Sequence, residues 1–293
     1  MSNSAVSLDE FLAAHASVIR VALTRVRGSS PRNEGTEMFA SAQGLWGTIG
    51  GGQLEFLAIQ TARDMLQSGD LVRELDVPLG PEIGQCCGGR VEIRLTRMRS
   101  SDKRVAVDRA RETKAALPHV YVMGAGHVGR ALADLFQHLP VRCTLIDTRT
   151  EEIALNTAAV ETRISVLPEA DIWSAPAGSA FIVLTHDHAL DFLLTSAALE
   201  RGDALYVGLI GSATKRAKFK NWARMHCDGQ TIEDLNCPIG ACGSRDKRPS
   251  VIAAFVVAEV IAELTTETAA TAPIGAIEAP HGRAYLGRTG RLA

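Results

Sequence analysis

With 293 residues, the chain has the length of one large or two ordinary domains and enough material for a real core. A hydrophobic fraction of 46%, a charged fraction of 22% and a net charge of -2 are those of a globular protein with no polyelectrolyte character. There is no sustained Lys/Arg stripe, and only three Trp, three Tyr and eight Phe, so nucleic-acid binding is disfavoured on both charge and stacking grounds.

Ser7 and Glu10 make a capping box, which predicts a short helix over 8–16. Residues 18–26 are β-branched and roughly alternating, a strand broken by Gly28-Ser29-Ser30-Pro31. Residues 36–40 and 45–48 read as strands around a turn at Gln43-Gly44. Gly50-Gly51-Gly52 then leads into a helix over 53–66. Leu54, Leu57, Ala58, Thr61 and Met65 share its buried face, and Gly69 caps its C-terminus. Strands over 71–77 and 90–96 follow, the second alternating Val91, Ile93 and Leu95 against Glu92 and Arg94. Between them sits Gly84-Gln85-Cys86-Cys87-Gly88-Gly89. Residues 1–100 therefore read as a small α+β domain, and the charge-rich stretch 101–117 as a linker with some helix.

From His119 the rhythm becomes strand, glycine loop, helix, strand. Residues 141–146 form the second strand, ending at Asp147, and 163–166 a short third one. Residues 181–184 and 205–210 are apolar without alternation, as buried parallel strands are. Helices are predicted over 189–199, 214–225 and 251–264. The fold class is α/β, with a Rossmann-like parallel-sheet domain over 118–265 and a flexible Thr/Ala/Gly-rich tail over 266–293. Residues 1–10 are polar and acidic, unlike a signal peptide. The apolar run 251–262 is too short to cross a bilayer and is interrupted by Glu259. These features predict a cytoplasmic protein with no membrane partner, whose six cysteines are thiols. The helix from Val251 could serve a homodimer interface or the core.

Two glycine loops carry the chemistry. Gly124, Gly126 and Gly129 form G-x-G-x-x-G after an apolar strand, with Asp147 at the end of the next strand. That context predicts a phosphate loop, with Asp147 placed for a ribose hydroxyl; the alternative is a scaffold whose pocket takes another ligand or none. Arg149 either neutralises Asp147 or reaches a phosphate. The second loop, Gly50-Gly51-Gly52-Gln53-Leu54-Glu55, has Glu55 placed well for the helix dipole whatever its role. Ser29, Ser30 and Arg32 could line a neighbouring pocket or form a simple turn.

The vicinal thiols Cys86 and Cys87, beside Gln85 and three glycines, suit a soft metal or sulfur transfer. Burial as small core residues is the rival reading. Cys143 reads as core, Cys237 and Cys242 as packing, and Cys227 as partnerless. His186 or His188, around Asp187 at the edge of the sheet, could donate protons or contact a phosphate; the alternative is that Asp187 caps the next helix and the histidines are solvated. Ser212, Lys215 and Arg216 look suited to an anion, though a surface cap explains them nearly as well.

Several of these stretches together resemble one family. They are Gly28-Ser29-Ser30-Pro31-Arg32, Gly47 through Glu55, Gly84 through Gly89, the Gly124 loop, Thr185-His186-Asp187, and Tyr206 through Ser212 with Lys215. The family is XdhC/CoxI, accessory factors of xanthine dehydrogenase and related molybdenum hydroxylases. The resemblance implies a molybdenum-cofactor (molybdopterin) chaperone, a carrier rather than a catalyst. It would hold its cargo during sulfuration by a cysteine desulfurase and insert it into apo-xanthine dehydrogenase, drawing on the cofactor-biosynthesis proteins. Cys86 and Cys87 would meet the metal. Gln85, Gly50, Gly51, Gly52, Glu55, Gly124, Gly126, Gly129, Asp147 and His186 would complete the cofactor contacts. The rival is an NAD(P)-dependent oxidoreductase using the Gly124 loop, with His186 or His188 as acid and base. A regulatory nucleotide sensor is a third reading.

Overall fold

A computed structural model describes residues 6–80, 88–227, 231–241, 244 and 246–271, with 266–271 as backbone alone. The chain divides into two compact units, Met1–Ala116 and Leu117–Ala293.

The first unit runs α1 (Leu8–Ala14), β1 (Ile19–Arg27), β2 (Glu37–Ala40), β3 (Leu45–Gly47), α2 (Gly52–Ser68), β4 (Val72–Pro78), β5 (Arg90–Arg97) and α3 (Ser100–Ala115). Its strands form one antiparallel sheet in the order β3-β2-β1-β5-β4. The expected capping box opens α1, and Gly69 closes α2 in the left-handed conformation. Alternation places Val91, Ile93 and Leu95 inside, with Val21, Leu23 and Met38, against Leu54, Ala58, Ala62 and Met65 of α2. Leu57, expected on that buried face, is 38% exposed, and Ala62 takes the place beside Ala58. A second cluster joins α1 and α3 through Leu8, Phe11, Leu12, Phe39, Met98 and Val107. The stretch expected as a linker is thus the body of α3, a packed helix of the first unit. One β-bulge interrupts β1 between Leu23 and Arg25. The hydroxyl of Thr24, the extra residue, donates to the Glu92 carbonyl at 3.1 Å.

The second unit runs β6 (His119–Met123), α4 (His127–Phe136), β7 (Arg142–Asp147), α5 (Thr150–Ala154), β8 (Glu161–Ile164), α6 (Pro168–Ser174) and β9 (Ala180–Val183). It continues with α7 (His188–Glu200), β10 (Tyr206–Leu209), α8 (Ala213–His226), β11 (Leu235–Asn236) and α9 (Pro249–Thr271). All six strands are parallel, in the order β8-β7-β6-β9-β10-β11. Counted from β6 this is the doubly wound 3-2-1-4-5-6 arrangement. Helices α4 and α9 cover one face, and α6, α7 and α8 the other. Ala253, Val256, Val257, Val260 and Leu264 of α9 are buried in that core. Among the described residues, no helix is long and apolar enough to cross a membrane. The tail expected over 266–293 is still helical to Thr271, and the rest lies outside the described residues.

Candidate functional site

In the first unit, strict antiparallel pairing brings three connections to one end of the sheet: that after β1, that after β3, and both ends of the β4–β5 connection. Ser29 bridges Gly88. A Cβ on Gly89 would lie 2.1 Å from the Ser29 carbonyl oxygen, so only glycine admits that approach. The Leu79 N–H donates to the Gly89 carbonyl at 2.7 Å and the Gly88 N–H to the Leu79 carbonyl at 2.8 Å, tying the base of the connection. A Cβ on Gly50 would meet Pro31 Cγ at 2.6 Å. Sequence stretches some sixty residues apart, from Gly28 to Gly89, therefore meet at one place. Gln85, Cys86 and Cys87 themselves lie outside the described residues.

The Gly50–Gly52 loop has positive φ at all three glycines and is held by its own helix. Glu55 Oε2 accepts from Thr48 Oγ1 at 2.5 Å and from the N–H groups of Ile49 and Gly51, both at 3.1 Å. Thr48 Oγ1 in turn accepts from the Gly50 N–H at 3.1 Å. Glu55 thus satisfies the amides of Ile49 and Gly51 from within the chain.

In the second unit, the chain reverses its winding between β6 and β9, and ligands of such sheets bind at that point. Gly124 leans on the β9 end, where an added Cβ would fall 2.4 Å from the Leu184 carbonyl oxygen. On Gly129 it would fall 1.8 Å from the Gly124 oxygen. Gly126 differs: φ is -64°, and an added Cβ meets nothing within 4 Å. Among the described residues no atom requires that glycine, whereas a phosphate approaching the loop backbone would.

Asp147 is 6% exposed and accepts four hydrogen bonds. Its Oδ1 takes the Arg149 N–H at 2.9 Å and Arg149 Nε at 3.0 Å. Its Oδ2 takes the Ala125 N–H at 2.7 Å and Arg149 Nη2 at 2.9 Å. Burial pushes this carboxyl up, but the Arg149 side chain and the two backbone N–H groups outweigh it and hold the group below its ordinary value. Of the two sequence readings of Arg149, neutralisation is the one observed. Nearby, Arg130 donates to the Ala125 carbonyl at 2.6 Å and to Glu152 at 2.5 Å.

Gly124, Asp147, Pro168, Thr185, His186 and Leu190 are among the residues lining a cavity of about 10 Å³, roughly room for one water. His186 is exposed, as is His188, and Asp187 caps α7 by accepting from the Ala189 N–H at 2.7 Å. The helix-cap alternative for Asp187 is the one realised. Sequence reasoning missed Asp191, which is fully buried. Its Oδ1 accepts from the Thr185 N–H and hydroxyl, both at 2.8 Å, and its Oδ2 from Lys215 Nζ at 2.5 Å. The available signal was a carboxylate one turn after His188 in the same motif. Lys215 is therefore engaged, Arg216 donates to the carbonyls of Leu235 and Ile232, and Ser212 caps α8, so the expected anion cluster is not assembled. Cys143 is buried, which pushes its thiol up to about 12. Cys227, read as partnerless, lies 3.1 Å from Ser196 Oγ. Cys237 is buried, and Cys242 lies outside the described residues.

A doubly wound parallel unit with a tight glycine loop, preceded by a separate antiparallel unit, defines a two-unit α/β protein of the dinucleotide-fold class. Residues 120–260 match the family described as the XdhC Rossmann domain, and residues 11–75 match the XdhC and CoxI family. The chain belongs to the XdhC and CoxI family. A solved structure from Bacillus halodurans, described as a xanthine dehydrogenase, is similar over 92% of this chain and 98% of that one, at 17% identity and a TM-score of 0.74. At that identity the likeness is one of fold. No curated protein matches the chain. The Gln85–Cys87 stretch lies beyond both matched spans.

Proposed function

We propose that the protein acts in the maturation of xanthine dehydrogenase, as a carrier that holds the molybdenum cofactor during sulfuration and delivers it to the apo-enzyme. Membership of the XdhC and CoxI family supports the setting. The observation that carries the reading is the convergence of Gly28–Pro31, Gly50 and Gly88–Gly89 at one end of the first sheet. The base of the cysteine-bearing connection is tied there, which fits a place where Cys86 and Cys87 meet a soft metal-sulfur head group. Gly126, open in the second unit, supports a phosphate-bearing ligand on that side. A cysteine desulfurase and the cofactor-biosynthesis proteins are the partners this role requires.

The test is anaerobic mixing of the apo-protein with released cofactor, followed by desalting and assay of molybdenum and pterin in the protein peak. Near-stoichiometric co-elution is expected, lost in the Cys86→Ala/Cys87→Ala double variant with the fold retained. Absence of co-elution from the unaltered protein overturns the carrier reading.

A further inference from the structure

The structure assigns Asp147 and Arg149 to a closed pair that rejects the ribose diol, so that the second unit binds neither NAD nor NADP despite its strand order and glycine loop. In a dinucleotide site the carboxylate after the second strand hydrogen-bonds the ribose 2′-hydroxyl, so it must keep an acceptor position open for it. A carboxylate offers about four acceptor positions, and all four of Asp147 are filled from within the chain. Three of the four bonds come from Arg149, two of them through its guanidinium fork. Two neutral hydroxyls return less than a charge-assisted fork, and Arg149 would have to leave a carboxylate whose side chain is 3% exposed.

The same pair answers the phosphorylated cofactor. A 2′-phosphate needs a free guanidinium, but Arg149 is engaged with Asp147 and lies 3.7 Å from Glu152. The Asp147 charge would itself repel that phosphate. The ligand class left to this unit is an anion-bearing molecule that places no vicinal diol at Asp147. This inference stands on the geometry of Asp147, Arg149 and Glu152 and holds whether or not the protein carries a metal cofactor.

The test is calorimetric titration of the full chain with NAD, NADP and AMP. The unaltered protein should show no saturable binding of any of the three below about 1 mM. R149A, checked for native circular dichroism, should gain at least about tenfold in affinity for NAD and AMP. R149Q, which keeps much of the side-chain volume but loses the fork and the charge, should move the same way and serves if R149A fails to fold. Saturable NAD or NADP binding to the unaltered protein below about 1 mM overturns the inference. So does a folded R149A or R149Q that binds no better than the unaltered chain.

Discussion

The two glycine loops look alike on paper and are built on opposite terms. In the first unit, the Gly50–Gly52 loop is internally satisfied: Glu55 and Thr48 take up the amides of Ile49, Gly50 and Gly51. In the second unit, Gly124 and Gly129 are demanded by backbone contacts, while Gly126 answers to nothing among the described residues. A glycine that its own protein explains is a folding residue. Gly126 has no such reason among the described residues, which leaves its backbone open to a ligand.

The sharpest break of this comparison is Gly129→Ala. A methyl group 1.8 Å from the Gly124 oxygen cannot be relieved by side-chain motion. The second unit should lose more than about 4 kcal/mol, read as loss of its transition in denaturant unfolding. Glu55→Ala comes next. It strips three donors of their acceptor and should cost the first unit about 2 kcal/mol, with Glu55→Gln milder because one acceptor oxygen remains. Equal stability of all three proteins would show that the loop does not depend on that carboxylate. Gly126→Ala should cost under about 1 kcal/mol while abolishing anion uptake by the second unit. If uptake survives, the open glycine has no ligand to explain it.

Two titrations refine the picture further. Asp147 has a folded-state pKa held below its ordinary 3.8, so its contribution is complete above that value and is lost as the pH falls through the lowered one. R149A should flatten this acid limb in unfolding measured against pH. Cys143 runs the other way: its thiol is raised from 9.0 to about 12, so its contribution is full below 9.0 and vanishes as the pH rises through about 12. Native protein at pH 8 should leave Cys143 unalkylated while the denatured chain reacts, as mass spectrometry would show.

Much of the fold was legible because burial on one face writes a period into the residues. Val91, Ile93 and Leu95 announced β5, and the unbroken apolar runs announced β9 and β10. Leu57 was misplaced because it lies about 60° to one side of Leu54 on the helix, while Ala58 and Ala62 turn the buried face the other way. The short elements α5, α6 and β11 have too few residues to establish a period, and β11 exists only through pairing of Leu235 and Asn236 with β10. In the candidate sites, glycine spacing and the position of Asp147 could be read directly. The capture of Asp147 by Arg149 stood there as one of two alternatives, and choosing between them depends on how the backbone turns after β7. The Asp191–Lys215 pair joins residues 24 apart in sequence, which meet only because β9 and β10 are neighbours in the sheet.

The bulge in β1 separates two jobs that a strand usually performs together. Leu23 faces Ile93 before it, and Val26 faces Val91 after it, so the inward set stays in step across the interruption. Thr24 is therefore surplus to the ladder, and its hydroxyl donates to the Glu92 carbonyl across the bulge. What the extra residue changes is direction, since a bulge bends its strand and increases its twist. Four residues later the chain reaches Gly28 and Ser29, which must arrive against Gly88 and Gly89. A chain lacking Thr24 would keep every partner in its core and aim its turn elsewhere, so one polar residue steers the loop without holding up the fold.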